Sequence, residues 1–153
     1  MDPVWAKLNY KGHAPVLVLN GPDSFRSRLA DLGSVRVDRR LASGAVYPFA
    51  LVFVTACAEV AALAPPVAAA VGPDAVLWFA YPKKTSKTYT SDISRDTGWQ
   101  PLGDLGFEAV RQVAIDDDWS VLRFRQAGAI RTLRREASRR MSVEGRRRLD
   151  EGK

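Results

Sequence analysis

Continuous apolar runs, rather than alternating ones, mark this chain. Ala14 to Asn20 reads APVLVLN, Phe49 to Ala56 reads FALVFVTA and Ala75 to Tyr81 reads AVLWFAY. Strands covered on both faces show such runs, because neither side of the pleat meets water. Turn chemistry follows the first and third runs, as Asn20-Gly21-Pro22 and as Pro82-Lys83-Lys84. Between the runs the period lengthens. Pro22 and Asp23 suit a helical first turn, and Phe25, Leu29 and Leu32 form an apolar stripe that Gly33 ends. Val35 to Val37 is a short second strand. The alanine-rich stretch from Cys57 to Val71 predicts a helix that breaks and restarts near Pro65, since Pro65 and Pro66 lack backbone donors. Gly72-Pro73-Asp74 then predicts a turn.

Beyond Tyr81 the reading is looser. A polar loop covers Thr85 to Thr90, Ser91-Asp92 is expected to cap a short helix ending near Gly98, and a second piece runs from Pro101 to Leu105. Phe107 to Ile115 and Trp119 to Gln126 flank Asp116-Asp117-Asp118 as a hairpin. This order predicts an α/β fold: a Rossmann-like, mostly parallel sheet of about six strands with helices on both faces, a C-terminal antiparallel hairpin strand and a basic C-terminal helix. Such an ending resembles the class I methyltransferase fold, which by itself assigns no activity.

Composition narrows the classes. With 153 residues, 46% of them hydrophobic and 26% charged, the chain suits one globular domain and not a disordered or low-complexity segment. The charge is uneven. Residues 127–153 hold nine Lys or Arg against four Asp or Glu, so they carry +5 of the net +6. The expected division is therefore a near-neutral Rossmann-like body, 1–126, and a basic amphipathic arm, 127–153. In the arm Ile130, Leu133, Ala137 and Met141 form a narrow apolar stripe among Arg131, Arg134, Arg135, Arg139 and Arg140, a surface for nucleic acid, a partner protein, an anionic membrane or the body itself. One cysteine, Cys57, and one histidine, His13, exclude a disulfide framework and leave too few soft ligands for structural zinc. Pro48, Pro65 and Pro66 interrupt the apolar stretch from Ala45 to Val71, so no membrane insertion is expected; with an acid at Asp2 in place of a signal peptide's basic start, a cytoplasmic location is.

A further expectation comes from resemblance. Leu77-Trp78 leading into Pro82-Lys83, the Ser91-Asp92-Ile93 opening, and Val113-Ala114-Ile115-Asp116 followed by Trp119-Ser120 and Arg123-Phe124 resemble a bacterial family catalogued as domain of unknown function 3052. The resemblance covers about a third of the chain and implies a Rossmann-like fold with no assigned catalytic residue.

Ligands of open α/β sheets sit beyond the carboxyl ends of the strands. That rim is expected to gather Asn20, Gly21, Thr55, Lys83, Lys84 and Asp116. The turn Asn20-Gly21-Pro22-Asp23 has one glycine, where a dinucleotide or S-adenosylmethionine site needs several for close backbone approach, and Asp23 repels phosphate. No cofactor and no metal are therefore expected. Asp38 stands where a ribose-binding acid would be but sits among Arg36, Arg39 and Arg40, and reads as an ion-pair partner. Cys57 reads as a small buried hydrophobe, with a helix-start thiolate as the reactive alternative. His13 reads as a solvated loop residue. The resulting expectation is a non-catalytic binding or regulatory module for an anionic small molecule or a partner. Its rivals are a methyltransferase-like enzyme with an atypical cofactor loop, using Lys83 and Asp116, and nucleic-acid binding through the arm.

Overall fold

Three apolar runs lie side by side at the centre of one sheet. The computed structural model describes residues 2–127. Within them the strands are β1 (Val16–Leu19), β2 (Val37–Asp38), β3 (Tyr47–Phe53), β4 (Val71–Pro82), β5 (Phe107–Ala114) and β6 (Trp119–Gln126), in the order β2-β1-β3-β4-β6-β5. β2, β1, β3 and β4 are mutually parallel; β6 is antiparallel to both β4 and β5. β5 thus points the same way as the parallel strands. The helices are α1 (Pro3–Lys7), α2 (Arg26–Ala30, after a 3₁₀ turn at Asp23–Phe25), α3 (Cys57–Ala70) and α4 (Gln100–Asp104). The basic helix expected from Ala129 onward lies outside the described residues.

Each face of the sheet carries its own core, which is why the runs are continuous. Leu17, Leu19, Ala50, Val52, Leu77, Phe79, Leu122 and Phe124 meet Val60, Ala64 and Val67 of α3 and Leu102 of α4. Val16, Val18, Phe49, Leu51, Phe53, Trp78, Ala80 and Val121 meet Val4, Trp5 and Leu8 around α1, with Phe25 and Leu32. At roughly 1.5–3 kcal/mol for each large side chain taken out of water, these two layers supply the main folding force. The expectation of helices on both faces agrees with this arrangement.

One helix is not among those expected, and three local expectations are corrected. The five-residue α1 is too short for a periodicity to show; Asp2 caps it by accepting from Val4 N–H at 2.9 Å. The helix α3 does not break, but passes unbroken through Pro65 and Pro66. Both prolines are exposed, as are Ala61 and Ala62, whose carbonyls lose their helical donors and can take water instead. Gly72-Pro73-Asp74 lies within β4, because the β3–β4 register jumps from Tyr47↔Val71 to Phe49↔Val76 and absorbs the extra residues as an irregularity. No helix opens at Ser91. Ser91 Oγ closes a local turn on Ile93 N–H at 3.0 Å, and Asp92 Oδ1 instead accepts the Cys57 N–H at 2.8 Å, capping α3 from 35 residues away.

Candidate functional site

Asn20 ends β1 in the left-handed region, φ +59°, a conformation asparagine tolerates better than most side-chain-bearing residues. Its Nδ2 donates to the Phe53 carbonyl at 3.4 Å, joining the ends of β1 and β3. Thr55 follows β3. Glu59, in the first turn of α3, accepts on Oε1 from Thr55 N–H at 2.6 Å and from its hydroxyl at 3.0 Å. Asn20, Gly21, Phe53, Thr55, Glu59, Tyr89 and Trp119 line a cleft of about 390 Å³. Trp119 packs edge-on against Phe53, centroids 5.0 Å apart, and lies 4.8 Å from Tyr89. Its indole N–H is buried with no acceptor among the described residues.

Lys83 and Lys84 do not join that cleft. They line another, of about 310 Å³, with Tyr81, Thr85, Ser94, Arg95, Asp96, Gln112 and Ser120. Three cations face one carboxylate there. Gln112 Nε2 donates to the Tyr81 hydroxyl at 2.7 Å, and burial pushes the Tyr81 phenol up, so it stays neutral near pH 7. The backbone of Lys83 is fixed by its N–H to the Asp118 carbonyl at 2.8 Å. Lys83 also borders a second hollow, of about 460 Å³, with Thr85, Lys87, Asp117 and Asp118. The expected single rim is therefore two clefts, Asn20, Gly21 and Thr55 in one and Lys83 with Lys84 in the other.

Asp116 lines neither cleft. Its Oδ1 accepts from Asp118 N–H at 2.8 Å and Trp119 N–H at 2.9 Å, closing the β5–β6 turn, while Oδ2 lies 3.6 Å from Arg28. Arg28 also holds Asp2 at 3.1 Å, so one guanidinium ties the chain's start to the turn. This carboxylate is a turn-closing group. Asp116→Ala is expected to destabilise the fold by about 1–2 kcal/mol, the range for a lost cap, and Asp116→Asn by less, since its amide oxygen still accepts. Urea denaturation of the two variants checks the order; equal losses would place the effect in the Arg28 pair instead.

The remaining candidates are occupied. Asp38 takes two hydrogen bonds from Arg36, at 2.9 and 2.8 Å, and one from the Tyr47 hydroxyl, and these partners hold its carboxyl below the usual range. As read from the sequence, it is an ion-pair partner. Burial, then the neighbouring Asp92, push the Cys57 thiol up rather than down, and Sγ donates to the Asp92 carbonyl at 3.4 Å. Gly98, at φ +105°, is required beside it, because a Cβ there would lie 2.9 Å from Sγ. His13 is half-buried rather than solvated: its ring meets Phe49 and Tyr10, and Nδ1 accepts from Lys11 N–H at 3.2 Å. Among the described residues no group of three His, Cys, Asp or Glu could hold a metal ion. Nor is any described helix long and apolar enough to cross a membrane. Arg131, Arg134, Arg135, Arg139 and Arg140 lie outside the described residues.

Sequence reasoning missed Arg95, Gln112 and Ser120 beside the lysines, and Glu59, Tyr89 and Trp119 beside Asn20. Only the strand alternation of β6, which puts Ser120 and Trp119 on opposite faces, could have signalled any of them.

No protein-family model matches the chain, and no curated protein does. Among solved structures it is similar to a functionally unknown protein from Deinococcus radiodurans R1, at 12% identity over 80% of this chain and 84% of that one, TM-score 0.47. It is also similar to the B. subtilis M1A22 tRNA methyltransferase TrmK, at 10% identity over 81% of this chain and 65% of that one, TM-score 0.46. A third is the ribosomal protein L11 methylase from Lactobacillus delbrueckii subsp. bulgaricus, at 11% identity over 72% of this chain and 56% of that one, TM-score 0.44. The chain spans less than two thirds of either methylating enzyme. At these levels the fold is read from the chain's own sheet order, and no activity transfers.

Proposed function

We propose that this protein is a non-catalytic binding or regulatory module that takes an anionic small molecule in the cleft of Lys83, Lys84 and Arg95. The supporting observation is the composition of that cleft: three cations against Asp96, with hydroxyl and amide donors from Thr85, Ser94, Ser120 and Gln112. Among the described residues none of the three cations is in an ion pair within 4.0 Å. Unpaired cations converging at the carboxyl edge of a parallel sheet, beside neutral donors, suit a phosphate or carboxylate. The non-catalytic part draws on the turn after β1. It has one glycine and leads into a helix of only five residues, Asp38 is already tied up, and the Cys57 thiol is raised. Membership of the domain-of-unknown-function family 3052 and a cytoplasmic location belong to the same reading, the first supported by the residues quoted from β4, β5 and β6.

Pyrophosphate is a suitable probe. Its titration is expected to raise the melting temperature in a dose-dependent way, with about 2.7 kcal/mol of added stability at a hundred times the dissociation constant. The double variant Lys83→Ala/Lys84→Ala should melt like the parent without probe, since the half-buried Lys83 and the exposed Lys84 are in no ion pair among the described residues, and should lose the rise. An unchanged rise in the double variant would remove the lysines from the site. A rise with S-adenosylmethionine instead would favour the methyltransferase-like enzyme.

A further inference from the structure

We infer that the α1-side face of the β5–β6 hairpin, carrying Arg111, Arg123 and Arg125, binds the phosphate backbone of a nucleic acid. Register puts these side chains together. Arg111 stands directly across from Arg123, and Arg125 lies two residues further along β6 on the same face, since Trp119 and Val121 of that alternation pack with Trp78 and α1. Lys11 and the half-buried His13 border the patch, and burial first, then the charges of Arg123 and Lys11, hold the imidazole below its usual range. Glu108 faces Arg125 in register but forms no ion pair with it within 4.0 Å.

Nothing in the described chain compensates these charges. Arg123 Nε is buried without an acceptor among the described residues, which is costly for a charged group. Arg123 sits opposite Trp78, where burial and the charges of Arg125 and Arg111 all disfavour its cationic form. A bound anion would relieve the desolvation and the mutual repulsion together.

The extent of the cation tract points to a polymer rather than one small anion. Two residues beyond Arg125 the net +5 segment 127–153 begins, and eight of its nine cations are arginines. A guanidinium offers a planar fork that matches phosphate oxygens in pairs. Among the described residues the exposed large hydrophobics are Val46, Leu105 and Val110, and only Val110 adjoins the patch. Among the described residues, a protein interface centred on the hairpin face would lack its aromatic or aliphatic core, and a membrane surface would find no apolar face there to take up.

The test uses the full chain and fluorescence anisotropy with a labelled DNA duplex at about 50 and 200 mM salt, where each neutralised phosphate adds about 0.9 to the slope of log affinity against log salt. Arg111→Gln/Arg125→Gln is expected to weaken binding roughly tenfold or more at the lower salt and to reduce the slope by about 1.8, indifferent to duplex sequence. Arg111→Gln alone, at an exposed position that leaves folding intact, should reduce the slope by about half that amount. Lys83→Ala/Lys84→Ala should bind the duplex like the parent, which separates this surface from the anion cleft. The inference is overturned if the parent does not bind duplex, if both hairpin variants keep the parent's affinity and slope, or if vesicles of anionic lipid are bound in place of the duplex.

Discussion

Trp78→Ala is expected to destabilise the protein by about 3–5 kcal/mol, the usual range for removing a buried large aromatic side chain. Trp78 has no exposed surface, lies in the middle of β4 and packs among Val16, Phe49, Leu51 and Val121. Its Nε1 also donates to the Leu8 carbonyl at 2.8 Å, across 70 residues of sequence. That carbonyl is at the end of α1, where a helix leaves its last acceptors without internal partners. The substitution therefore opens a cavity and strips a buried acceptor at once. Against a total of about 5–15 kcal/mol, the urea midpoint should fall by more than 1 M at ordinary slopes. Trp78→Phe separates the two parts. It keeps one six-membered ring and leaves a smaller cavity while losing the hydrogen bond, so it should give up less, about 1–3 kcal/mol. A midpoint for Trp78→Ala close to the parent's would mean that α1 is not fastened to the sheet through this residue.

The central strands were legible in the sequence because burial on both faces writes itself as unbroken apolar runs. β1, β3 and β4 each lie under helices on one side and α1 or the Phe25 segment on the other, so no polar residue interrupts Val16 to Leu19 or Val76 to Tyr81. What could not be read were pairings made across distance. Ser91-Asp92 has the chemistry of a local cap, yet Asp92 serves α3, whose own N-cap Ala56 has no side-chain acceptor. Asp116 has the chemistry of a ligand at a strand end, yet the tight turn to Trp119 and the approach of Arg28 consume both of its oxygens. In the same way the rim residues lie at the carboxyl edge of the sheet but in two clefts, one of them closed by Tyr89 and Trp119, which enter from a loop and from the antiparallel strand. Strand ends are set by local sequence; what stands between them is set by loops.

Replacing Pro65 and Pro66 together by alanine is expected to raise the stability by about 1–3 kcal/mol. An interior proline in a helix costs up to about 3 kcal/mol, through a missing donor and a clash with the carbonyl one turn back. Here two occur in succession within the 14-residue α3, and Ala64, which precedes them, is held helical against the preference of a residue before proline. Part of that penalty is already relieved, because Ala61, Ala62, Pro65 and Pro66 are all exposed, so the orphaned carbonyls of the turn before can accept from solvent. A further part is offset in the unfolded chain, whose freedom each proline reduces by about 0.4–1 kcal/mol, a benefit lost on substitution. The balance still favours alanine, and at about 2–4 °C per kcal/mol for a chain of this size the melting temperature should rise by several degrees. The opposing possibility is geometric. Ala64 and Val67, on either side of the pair, are fully buried against the sheet, and if the prolines set a bend that seats both, straightening α3 would lift one of them. A fall in melting temperature for the double variant, partly restored by returning proline at one position, would establish that bend as the reason α3 tolerates its prolines.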